Sequence, residues 1–154
     1  MRYAGSMGQT LAHLLVHIIF STHRREPHIS TQIETRLHAY IGGICRNVGV
    51  DAVTIGGFDD HVHMLVLLRT DTNVASLVRD IKANSSRWMH EQGIRDFRWQ
   101  GGYAAFSVSE SVSPRVIDYI NGQRDHHRRV SFMDELRQIC RRHNVAIDEE
   151  HAWD

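Results

Sequence analysis

The chain has 154 residues, of which 42% are hydrophobic and 23% charged, with 11 glycines and 2 prolines; this excludes a disordered, collagenous or low-complexity protein. A single domain of this size buries enough surface to fold without disulfides, and the two cysteines, Cys45 and Cys140, stand in no metal or redox spacing. Basic and acidic residues balance at 18 each, so net charge by itself signals no nucleic-acid binder.

In chain order, residues 1–9 are expected to be an extension, with a second possible start at Met7. Residues 11–22, LAHLLVHIIFST, are short and apolar and predict a buried strand. The loop His23-Arg24-Arg25-Glu26-Pro27 ends it. Thr31 and Glu34 have the spacing of a capping box and open a helix to about Val48, with Ile33, Leu37, Ile41 and Ile44 on one face. Strands are predicted over 49–58 and 61–69, joined by a turn at Asp59-Asp60. A helix from Asn73 to Gln92 follows, its stripe formed by Val74, Leu77, Val78, Ile81 and Trp88. Residues 97–103 read as an aromatic loop and 104–109 as a fourth strand. Ser113-Pro114 starts a helix running toward Arg129, and Ser131 starts another that ends near His143. The order β-α-β-β-α-β predicts an α+β, ferredoxin-like antiparallel sandwich with additional C-terminal helices. That fold fixes no function. One domain is expected over 10–143. The tail 144–154 is acidic, and without its last seven residues the chain has 18 basic against 14 acidic side chains, a net of +4. All basic residues but Lys82 are arginine, whose planar fork matches phosphate.

Two local patterns carry chemistry. His61 and His63 open an apolar strand, and side chains two apart share a face, so both imidazoles can converge on one ion. With 12 histidines in the chain, chance alone yields about one such pair; the buried setting, where unpaired imidazoles are costly, makes this one notable. The second pattern is Tyr119 with Gln123, which are i and i+4 on a helix and project from one wall. His126 and His127 follow one turn on. Opposite the His pair, the two residues would add a nucleophile and a neutral oxygen ligand.

Together, VHIIFSTHRREP (16–27), GGFDDHVHMLVLL (56–68) with IKANSSRWMHEQG and WQGGYAAFSVS after it, and VIDYINGQRDHHRRVSF (116–132) resemble the single-tyrosine transposases of the HUH nuclease superfamily, over roughly residues 10–143. The resemblance implies that His61, His63 and Gln123 bind one divalent ion, Mg or Mn, and that Tyr119 is the nucleophile. It implies a homodimer, often with the tyrosine helix of one subunit facing the His strand of the other. It implies a substrate of single-stranded DNA folded into a hairpin, cut and rejoined through a 5′-phosphotyrosine, with no nucleotide cofactor. Three positions depart from the family pattern: Gly122 stands for the usual Asn, Arg124 for a common acid, and His23 for a common Lys. Arg24, Arg25, Lys82, Ser85, Ser86 and Arg87 are expected to grip DNA phosphates, and Trp99 and Tyr103 to stack on bases.

Two other readings stand beside this one. A domesticated module of the same fold would bind single-stranded nucleic acid without cutting it. A hydrolytic phosphodiesterase would need an activated water, with Asp60 as the only adjacent base. A reduced cytoplasm is the expected compartment, since the sequence has neither a signal peptide nor a membrane-length apolar run.

Overall fold

A computed structural model describes residues 8–151. Its sheet has four antiparallel strands in the order β2-β3-β1-β4, the ferredoxin-like arrangement expected. They are β1 (Leu14–Ser21), β2 (Asp51–Phe58), β3 (His61–Leu68) and β4 (Ala104–Val108). The helices are α1 (Thr31–Asn47), α2 (Val74–Glu91), α3 (Ser113–Asn121), α4 (Gln123–His126) and α5 (Phe132–Arg142). No helix among the described residues is long and apolar enough to cross a membrane.

Helices cover both faces of the sheet, which is why β1 and β3 read as continuous apolar runs and not as alternating ones. On one face Ile18, Phe20, Val62, Met64 and Val66 pack against α1 and α2. On the other, Leu15, Ile19 and Leu65 meet α3 and α5 through Ile120, Leu136 and Ile139. Odd-numbered residues of β1 and β3 face this second layer, and His17, His61 and His63 are among them. Register pairs Ile19 with His63 and Ser21 with His61 across the two central strands.

Several boundaries differ from the expectations. The cap of α1 is Ser30, and Glu34 is not spent on a capping box: it accepts a hydrogen bond from Arg124 Nε at 2.9 Å. Strand β2 starts only at Asp51, because Gly49 turns the chain with φ +76°. Its register slips between Ala52 and Thr54, so Val53 is exposed while Ile55 packs against the core. The helix expected from Ser113 toward Arg129 is interrupted at Gly122 (φ −94°, ψ 13°). Glycine lowers helix persistence by about 1 kcal/mol relative to alanine, and the chain re-enters a helical turn at Gln123. Ser131 caps α5 as expected, accepting a hydrogen bond from the Asp134 amide at 3.2 Å. Residues 8–14 are exposed, while the rest of the expected extension lies outside the described residues. In the acidic tail, Glu149 pairs with Arg137 of α5 at 2.9 Å.

Gly56 decides how closely α3 approaches the sheet. It pairs with His63 across β2 and β3, and a Cβ on it would overlap the Ile120 carbonyl of α3. Gly56→Ala therefore has to push the tyrosine helix off β2. Overpacking of this kind costs about 1–3 kcal/mol. The expected result is a lower midpoint in thermal melts; an unchanged midpoint would show that α3 does not depend on this contact.

Candidate active site

The two strand histidines, the tyrosine helix and α5 converge on one buried cluster. His61 and His63 are fully buried, Gln123 is 1% exposed and Tyr119 is half-buried. Gln123 Oε1 lies 3.0 Å from His61 Nε2, and the Tyr119 ring stands edge-on to His63 with centroids 5.7 Å apart. All four residues predicted for the site are therefore brought together, and within a single chain. The tyrosine helix faces its own His strand.

Sequence reasoning missed the residue at the centre. Glu135, on the first turn of α5, is 1% exposed. The Tyr119 hydroxyl donates a hydrogen bond to its Oε2, as does the Gln123 amide at 3.0 Å. On the other side Glu135 Oε1 lies 2.9 Å from His63 Nε2, 3.0 Å from His127 Nε2 and 3.6 Å from His61 Nε2. His126 and His127 lie one turn beyond Gln123, but nothing in their spacing marks His127 as part of the cluster. The only sequence signal for Glu135 is an acid on the apolar stripe Phe132, Leu136, Ile139, where an unpaired charge would be costly.

The rings are held from behind. His61 Nδ1 lies 2.7 Å from Asp60 Oδ1, so Asp60 orients this imidazole. His63 Nδ1 lies 2.8 Å from His17 Nε2, and His127 Nδ1 lies 2.6 Å from the Val130 carbonyl. Burial lowers the His63 pKa to about 4 and, with the neighbouring His63, that of His17 to about 3, so both rings are neutral at pH 7. Burial also pushes the Tyr119 phenol well above its usual value, and the charge of Glu135 adds to this. Burial opposes charge on Glu135 as well, but the ring nitrogens of His127 and His63 more than offset it and hold the carboxyl below its ordinary range.

Arg124, one of the departures from the family pattern, locks the site's outer wall. It donates to Glu34 Oε2 at 2.9 Å and Asp59 Oδ1 at 2.8 Å, tying α4 to α1 and to the β2–β3 turn. Among the residues expected to touch DNA, Arg25 sits beside the cluster, in a recess it lines with Phe58, Asp60 and His127. Arg24 and Arg25 both have positive φ, 54° and 57°, a costly conformation for non-glycine residues. Lys82, Ser86 and Arg87 lie on α2, across the sheet from the site. Lys82 Nζ donates to the carbonyls of Gln100 and Gly102 at 2.9 and 2.6 Å, and burial lowers its pKa to about 8. Ser85 is fully buried and accepts a hydrogen bond from Trp99 Nε1 at 2.9 Å. Trp99 is no stacking platform, because it packs edge-on between Phe20 and Phe97 in the core. Tyr103, 42% exposed, is the aromatic residue of this loop that reaches solvent.

The fold and sequence have known counterparts. A candidate transposase from Deinococcus radiodurans R1 superposes with a TM-score of 0.61 at 21% identity, covering 77% of this chain and 98% of that one. The REP-associated tyrosine transposase bound to a REP hairpin superposes with a TM-score of 0.54 at 19% identity, covering 74% and 70%. No curated protein matches the chain. The sequence pattern of the IS200-like transposases matches residues 10–123, from just before β1 through the His strand to the last of the expected ligands. On that match, the chain belongs to the IS200-like transposase family.

Proposed function

We propose that this transposase cuts and rejoins single-stranded DNA at hairpin-bearing transposon ends, with Tyr119 as nucleophile and one divalent ion, Mg or Mn, held by His61, His63 and Gln123. The observation that carries the reading is the Tyr119 hydroxyl lying in the same buried cluster as the two strand imidazoles and the Gln123 amide oxygen. The donors suit a divalent ion: the imidazoles are buried, at least one is neutral, and the amide oxygen already faces His61.

A phenol that burial keeps protonated is a poor nucleophile near pH 7. An ion held by His61, His63 and Gln123 would supply a Lewis acid able to polarise the scissile phosphate and offset charge building on its oxygens. The chain's own residues do the rest. Glu135 Oε2 holds the Tyr119 hydroxyl by a hydrogen bond and receives its proton as the phenolic oxygen attacks phosphorus. The bond from phosphorus to the 3′ oxygen breaks, that oxygen takes up a proton, and the 5′ end stays on the tyrosine. Attack by a second 3′-hydroxyl reverses these changes and frees Tyr119, so no nucleotide cofactor is consumed. Asp60 orients His61 and needs no role as a base.

Arg24 and Arg25 are proposed to take the phosphates next to the cut, while Lys82, Ser86 and Arg87 lie on the opposite layer and would meet DNA only beyond the site. Arg25→Ala is expected to weaken binding of a single-stranded hairpin and to lower the slope of log affinity against log salt by about 1. Arg87→Ala is expected to change both less. Fluorescence anisotropy at several salt concentrations checks this. A homodimer is proposed from the family resemblance and from β4, whose outer edge is unpaired within the sheet.

The deciding experiment mixes the protein, hairpin DNA and Mn²⁺ and looks for a covalent protein–DNA adduct on a denaturing gel. An adduct supports the proposal. Cleavage without an adduct points to hydrolysis, and binding without cleavage to a domesticated module.

A further inference from the structure

Two donors at the cluster are unaccounted for by a three-ligand site, and both lie beyond residue 123, where the family match ends. His127 and Glu135 bring their Nε2 and Oε1 atoms to the same point as the Nε2 atoms of His61 and His63, and the four ligand atoms all lie within 4.8 Å of one another. Glu135 Oε1 is 2.9, 3.0 and 3.6 Å from the three ring nitrogens. Donors bound to one ion at about 2.0–2.2 Å stand at about these separations from each other.

Hydrogen bonding makes the convergence informative. The Asp60 carboxylate and the Val130 carbonyl can only accept, so His61 and His127 each donate from Nδ1. With Nδ1 so engaged, Nε2 is the atom that each ring turns to the cluster. There His61 Nε2 stands 3.0 Å from Gln123 Oε1 and His127 Nε2 3.0 Å from Glu135 Oε1. His127 Nε2 is buried, and its 3.0 Å contact with Glu135 Oε1 lacks good hydrogen-bond geometry. Imidazoles pinned at Nδ1 by a carboxylate or carbonyl, with Nε2 free, are the usual ligands of a metal ion.

From this we infer that His127 and Glu135 complete the cation site, making it a three-imidazole, one-carboxylate centre with Gln123 at its edge, built for a transition-metal dication and not for magnesium. The inference rests on the reading that His61, His63 and Gln123 bind an ion. Magnesium prefers oxygen donors and retained waters, whereas three imidazoles favour softer first-row ions.

The test uses the full chain, stripped with a chelator and titrated calorimetrically with Co²⁺ and, separately, Mg²⁺. One Co²⁺ per chain is expected, bound at least about 100-fold more tightly than Mg²⁺, with His127→Ala and Glu135→Gln each weakening it at least about tenfold. X-ray absorption on the cobalt-loaded wild-type chain counts coordinated imidazoles independently of how any variant folds, and three are expected. Two imidazoles, with both variants binding as wild type and only His61→Ala losing the ion, would overturn the wider site and leave the three-ligand reading standing. A wild-type chain that takes up no Co²⁺ would overturn both. Circular dichroism of the metal-free variants separates lost ligation from lost fold.

Discussion

Tyr119→Phe is expected to abolish the covalent DNA adduct proposed above while leaving the protein folded and still able to bind the hairpin. The substitution removes one oxygen and keeps the ring, which packs edge-on to His17 and His63 with centroids 6.4 and 5.7 Å away. Tyr119 carries the only side-chain hydroxyl that hydrogen-bonds to this cluster among the described residues. On the proposed mechanism, no other hydroxyl among the described residues is placed to take over the attack on phosphorus. Loss of a nucleophile in an enzyme that forms a covalent intermediate lowers the rate by about 10⁴-fold or more. The stability change is small by comparison: Glu135 Oε2 loses one donor but keeps the Gln123 amide, a cost of about 1–3 kcal/mol. A denaturing gel for the adduct, anisotropy for binding and a thermal melt for fold separate these effects. An adduct surviving in the variant would remove Tyr119 from the mechanism.

Acid is expected to destabilise the metal-free protein well above the range in which carboxylates titrate. His17 and His63 are buried, with pKa values lowered to about 3 and about 4; in the unfolded chain each returns to about 6.5. Between those limits the unfolded state binds protons that the folded state refuses. Stability contributed by the neutral rings is thus complete above about pH 6.5 and is lost as pH falls toward 4. From pH 7 to 5 each ring costs about 2 kcal/mol. Glu135, held below its ordinary range, works in the same direction but only below about pH 4.5. Melting temperatures measured without metal should fall by about 8–16 °C over this interval if both rings contribute. His17→Asn should flatten the dependence by about half. A flat profile between pH 7 and 5 would mean that the rings already carry protons in the folded state.

Both expectations turn on contacts that differ in how far they could be read before folding. Period-two alternation places His61 and His63 on one face of a strand, and helical spacing places Tyr119 and Gln123 on one wall. These are local geometries, set by backbone repeats, and the structure keeps them. The order of strands and helices was equally legible, because each element carries its own periodicity and caps.

Tertiary structure decided the rest. Glu135 lies 72 residues from His63, and no repeat links a strand to a helix that distant; only the docking of Phe132, Leu136 and Ile139 on the sheet brings its carboxylate to the imidazoles. His127 joins them because the helix breaks at Gly122, while Arg124 draws α4 toward Glu34 and Asp59. Trp99 looked available for stacking and is buried, since its indole nitrogen finds Ser85 inside the core. The sequence by itself determined which residues lie along one strand face or one helix wall, because those distances follow from the backbone's own repeat. Which strand faces which helix, and which acid closes the centre, was decided only by the burial of apolar surface, whose attraction has no direction of its own.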